Sequence, residues 1–264
     1  MQYLEFFRRI FMRQLSFLGF ILSLTVFGTV AKSEISSQAQ LGRELFHDPS
    51  FGGTIDSNKA SGMSCATCHA DFDEGKEPDG QIRTGHSIIG VRDRGKSQWA
   101  KVTSAIFERA AGGAGFCYQR FLQRIPERKI DPSAIPEDQA EALMAYFDYV
   151  SIGKKSPKVK LQGLSKDASK IAADQILKIN GNAKNGWKIY AKACASCHAK
   201  PKRGGIGPQM VKSRPPANLQ KRLHKIASYV RAGGFTMPAM GVEKLSDQAM
   251  ADILAFFSNL NKRK

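Results

Sequence analysis

The 264-residue chain carries 40 Lys and Arg against 23 Asp and Glu, a formal net charge of +17. A surface this basic attracts acidic partner proteins and anionic substrates. Its basic residues are scattered and match no recognition motif, which excludes nucleic acid as a partner, and the length allows one large or two small domains.

Residues 1–33 read as a signal peptide. Arg8, Arg9 and Arg13 give a basic start, residues 15–30 form an apolar run, and Ala31 and Ser33 are the small residues of a cleavage site before Glu34. The run is 16 residues long, short of the roughly 20 that cross a bilayer. The expectation is export to the periplasm, with membrane contact only if this segment stays attached.

A first domain is expected over 34–152. It opens with a helix carrying "GRELF" (Gly42 to Phe46), passes through a loop rich in Gly, Ser and Asp, and reaches "CATCH" (Cys65 to His69). A fifth cysteine, Cys117, follows in "GGAGFCYQRFL". Ala140, Leu143, Met144, Phe147 and Val150 then make one apolar stripe at helical period, with Pro136 in the first turn. The polar, Lys-rich stretch 153–175 reads as a linker.

The second domain, 176–264, repeats the plan. "GWKIY" (Gly186 to Tyr190) leads to "CASCH" (Cys194 to His198), and a closing helix carries Met250, Ile253, Leu254 and Phe257 on one face, capped by Ser246. Nothing alternates at period two. The predicted fold class is therefore all-α, in two helical units of one plan.

The chemistry lies in the repeated C-x-x-C-H. In an oxidising compartment cysteines usually pair as disulfides, yet four of the five fall in this motif, which reads as haem attachment. Two thiols three positions apart lie on one side of a helical turn and can form thioethers to one porphyrin edge. The adjacent His then supplies the iron ligand. Cys65, Cys68 and His69 would hold one haem c, and Cys194, Cys197 and His198 a second. A zinc site would need four gathered ligands, and the two motifs are far apart in the chain.

Each proximal His needs an acceptor for its other ring nitrogen; in the second domain the Pro208 carbonyl is the candidate. Met237, in "TMPAMG", is the expected sixth ligand of the second haem, with Met240 and Met210 as rivals. A thioether there raises the potential. The first domain has no Met between His69 and Met144, and Met144 belongs to the apolar stripe. Its sixth-ligand candidates are Cys117 and His86, with His47 behind them; Cys117 also reads as a small buried packing residue. Arg109, Arg120 and Arg124 near Cys117 would favour its thiolate. His224 reads as a helix-surface residue.

On "GGIGP", "TMPAMG" and "DILAFF" the chain resembles dihaem c-type cytochromes built from two class I cytochrome c domains. "LGRELFHDP", "SCATCH" and "TGHSIIGVRDR" resemble the N-terminal domain of bacterial dihaem cytochrome c peroxidases and the related methylamine dehydrogenase maturation enzymes. That resemblance implies His86 as the ligand that leaves the iron for peroxide. "FCYQRFL" and "EALMAYFDYVS" resemble thiosulfate dehydrogenases and haem-bearing sulfur-oxidation cytochromes. It implies Cys117 on the active-site iron, with Arg120 beside it.

The function expected is electron transfer from a low-potential first haem to a high-potential second haem, and on to a redox partner with an acidic surface. Two enzymic alternatives stand beside it: thiosulfate dehydrogenase-like oxidation of a sulfur anion at Cys117 and Arg120, and a peroxide-using cytochrome c peroxidase at His86.

Overall fold

Ser36 accepts a hydrogen bond from the Ala39 amide at 3.2 Å and so caps the first helix, α1 (Ser37–His47). In the computed structural model, residues 34–53, 61–76, 78–91, 113–125, 129, 131, 134–156, 163–199, 207, 209–211, 218–234 and 237–262 are described. The signal peptide reading, Pro208 and Arg109 lie outside them.

Among the described residues, α2 (Cys65–Cys68), α3 (Ala114–Cys117), α4 (Glu137–Ser151), α5 (Lys166–Ile176), α6 (Ala183–Ala193), α7 (Ala195–His198), α8 (Leu219–Ala232) and α9 (Asp247–Lys262) follow. α3 runs on into a π-helix, Tyr118–Leu122. No strand occurs among the described residues, so the all-α expectation holds. Ser36–Lys264 folds as one compact unit.

The same crossing builds both halves. α1 packs on α4, and α6 packs on α9. The expected stripes face inward: Ala140, Leu143, Met144 and Phe147 are buried in α4, and Met250, Ile253, Leu254 and Phe257 in α9. Val150 is only half-buried at the end of its stripe. Glycine sets the approach of each pair. A Cβ on Gly42 would lie 1.9 Å from the Ala142 carbonyl oxygen, and one on Gly186 equally close to that of Asp252. The Gly-x-x-apolar-aromatic pattern is thus a helix-crossing device, with the aromatics Phe46 and Tyr190 buried beside it. Pro136 stands one residue before α4 as its N-cap, and Ser246 Oγ accepts from the Ala249 amide at the start of α9.

One boundary needs correction. The stretch 153–175 is not wholly a linker, because α5 occupies its second half and buries Ala173 and Ile176 against α8. Ser169 and Ser228 bond across this contact at 2.8 Å, and His224 meets Asp174 at 3.1 Å. His224 is partly exposed, as expected of a helix-surface residue.

Candidate haem sites

The first motif is one tight turn. Ser64 and Thr67 exchange bonds around the start of α2, and the His69 amide donates to the Cys65 carbonyl at 2.9 Å. That winding brings Cys65 and Cys68 to the same side. Desolvation pushes the Cys65 thiol up to about 12 and the Cys68 thiol to about 11. No disulfide joins any of the five cysteines. Among the described residues, no group of three or more His, Cys, Asp or Glu is placed to hold a metal ion by itself.

His69 Nδ1–H donates to the His86 carbonyl at 2.7 Å, leaving Nε2 for an iron. The Gly85 amide donates to the Cys68 carbonyl at 2.8 Å, and a Cβ on Gly85 would sit 2.4 Å from His69 Cε1. The second motif repeats this. The Gly207 amide donates to the Cys197 carbonyl at 2.8 Å, and a Cβ there would sit 2.5 Å from His198 Cε1. His198 is buried. Two imidazoles, each braced by a glycine that leaves no room for a side chain, fit covalent haem at both motifs.

His86 therefore contributes its backbone to the proximal side of His69. It takes the place that Pro208 was expected to fill in the second half. His47 is exposed and directs Nε2 to Asp71 at 2.9 Å. Tyr146 donates to the same carboxylate. Burial opposes ionisation of Asp71, but the Tyr146 and His47 bonds outweigh it and its pKa is lowered.

Cys117 ends α3 where the backbone loosens into the π-helix, a distortion that recurs at functional sites. Its thiol is near enough to Cys65 and Cys68 for charge on one to raise the pKa of another. Burial pushes the Cys117 thiol up to about 12, and Arg120 lowers it only in part. Arg120 Nη2 donates to the Gly234 carbonyl at 3.1 Å, with its guanidinium over the rings of Phe116 and Phe121.

Met240 is buried in the core of the second half, while Met237 and Met210 lie partly buried against that core. Met237 sits on the turn between α8 and α9, where its carbonyl accepts from the Gly234 amide at 2.8 Å. Met210 uses its carbonyl to receive Arg222 Nε at 3.0 Å.

Met63 was missed by sequence reasoning. Its Sδ lies 3.4 Å from Cys197 Sγ, joining the approach to the first motif to the second motif itself. Cys197 also adds slightly to the upward push on the Cys68 thiol. The Ile82 amide donates to the Lys192 carbonyl at 3.1 Å, and Ile82 packs on the core of the second half.

Residues 181–257 match the family model described as cytochrome C oxidase, cbb3-type, subunit III. The second half carries a c-type cytochrome domain. A c-type cytochrome domain holds haem c covalently and works in electron transfer, and the matched residues include Cys194, Cys197 and His198. No curated protein and no solved structure matches the chain.

Proposed function

We propose that the chain is a periplasmic dihaem c-type cytochrome that moves single electrons from its first haem to its second. The observation that carries this reading is the 3.4 Å contact between Met63 Sδ and Cys197 Sγ. It brings the polypeptide at one haem motif against a thioether-forming sulfur of the other. Cys65, Cys68 and His69 hold the first haem; Cys194, Cys197 and His198 hold the second. Each haem supplies an iron that cycles between two oxidation states.

The protein's own part is to set ligand geometry and potential. The His86 carbonyl fixes the His69 ring through Nδ1. Cys117 is the sixth ligand in this account, since its thiol neighbours both cysteines of the first motif. A haem iron bound there would take the place of the proton that burial favours on the free thiol. A thiolate there lowers the first potential, and Met237 raises the second. Electrons then run from first to second and leave toward an acidic partner, drawn by the net charge of +17.

The position of Cys117 also favours a second reading, thiosulfate dehydrogenase-like oxidation of a sulfur anion. Joining two such anions by one S–S bond releases two electrons, one for each haem. Arg120 gives this reading less support, because it already donates to Gly234.

The test is rapid one-electron reduction of the holoprotein followed at both haems. The account expects reoxidation of the first to match reduction of the second at a rate independent of protein concentration. A rate proportional to concentration contradicts it.

A further inference from the structure

The loop between α8 and α9 carries Met237 and Met240, and residues of the first half hold it at both ends. At its start, Arg120 donates to the Gly234 carbonyl at 3.1 Å. The amide of the same Gly234 donates to the Met237 carbonyl at 2.8 Å, so Arg120, Gly234 and Met237 form one hydrogen-bonded chain. At its end, Lys244 Nζ lies 3.1 Å from Glu74 Oε2, with side chains only 18% and 23% exposed. The other oxygen of Glu74 faces Arg83 Nη1 at 3.4 Å. Glu74 stands five positions after His69, and Arg120 three after Cys117. The second half adds its own brace: buried Arg231 donates to the Met240 carbonyl at 2.9 Å and to Asp247 at 2.6 Å.

We propose that Arg120 and Glu74 are positioning residues for the sixth ligand of the second haem. They hold the Met237 turn from the first half, and the segment that presents Cys117 to one iron also steadies the loop that presents Met237 to the other. This rests on the reading of Met237 as that ligand. The contact runs through a backbone carbonyl, so it governs the reach and angle of the thioether. A charged donor on a carbonyl is stronger than a neutral one, and the Phe116 and Phe121 rings under the guanidinium help to keep it aimed.

The experiment uses the full-length holoprotein and reads three things. They are the far-red thioether-to-iron absorption band of the oxidised form, the potential of the second haem, and amide hydrogen exchange at residues 239–244. Met237→Ala is measured first. Loss of the band secures the ligand; its persistence overturns the ligand reading, and the proposal with it. R120Q and E74Q are then each expected to weaken the band and shift the second potential. Exchange should quicken roughly tenfold, the scale of one lost charge-assisted hydrogen bond. R120K, which keeps a donor and a charge, restores the band in large part. With Met237→Ala confirming the ligand, unchanged band, potential and exchange in both R120Q and E74Q overturn the proposal alone.

Discussion

Two histidines in this chain are tuned by a missing side chain. A Cβ on Gly85 or Gly207 would lie 2.4 or 2.5 Å from the imidazole Cε1 of His69 or His198. Neither ring can keep its place beside an alanine. Gly207→Ala is therefore expected to shift the absorption and potential of the second haem while leaving the first unchanged, and Gly85→Ala to do the reverse. Redox titration at two wavelengths checks this. Cys117 gives a sharper residue-scale test. Cys117→Ala is expected to replace the low-spin electron paramagnetic resonance signal of the first haem and preserve that of the second; identical spectra would make Cys117 a packing residue. The motifs themselves were readable because C-x-x-C-H is local chemistry. The role of His86 was not, because a backbone carbonyl leaves no mark in residue type.

At the scale of helices, the α6–α9 crossing concentrates stability. Asp252 is buried on α9 and accepts from the Asn182 amide at 2.7 Å, Asn185 Nδ2 at 2.5 Å and Gln248 Nε2 at 3.0 Å. Burial opposes its ionisation, but these donors outweigh it and its pKa is lowered. Its stabilisation is thus fully present above the unfolded-state value of about 3.9 and is lost as pH falls through the lower folded value. Asp252→Ala should cost about 1.5–3 kcal/mol at neutral pH, less in acid, by denaturant titration. Gly186→Ala forces the same two helices apart and should cost about 1–3 kcal/mol. The closing helices were legible because Leu, Met, Ile and Phe recur at helical period. α5 was read as linker because its buried face is Ser169, Ala173 and Ile176. A stripe of one hydroxyl, one small residue and one isoleucine hardly differs from a polar segment until α8 is packed against it.

At the scale of the whole molecule, the two C-x-x-C-H motifs share one compact unit, and no sequence signal predicts what joins them. Met63 and Cys197 meet across 134 residues, Arg120 and Gly234 across 114, and Glu74 and Lys244 across 170. Such pairs are set by how two separately patterned halves dock, which periodicity within either half cannot encode. Charge does act at this scale and was readable at once. The net +17 predicts that electron transfer to an acidic partner slows steadily as salt is raised, since the Debye length falls from about 10 Å at 0.1 M to about 3 Å at 1 M. A salt-independent rate would remove electrostatic steering from the account. The central claim is that both cysteine motifs hold haem in one chain. Covalently retained haem iron per polypeptide, measured on exported protein after denaturing wash, tests it most directly. Two per chain is the predicted result, and one or none would contradict it.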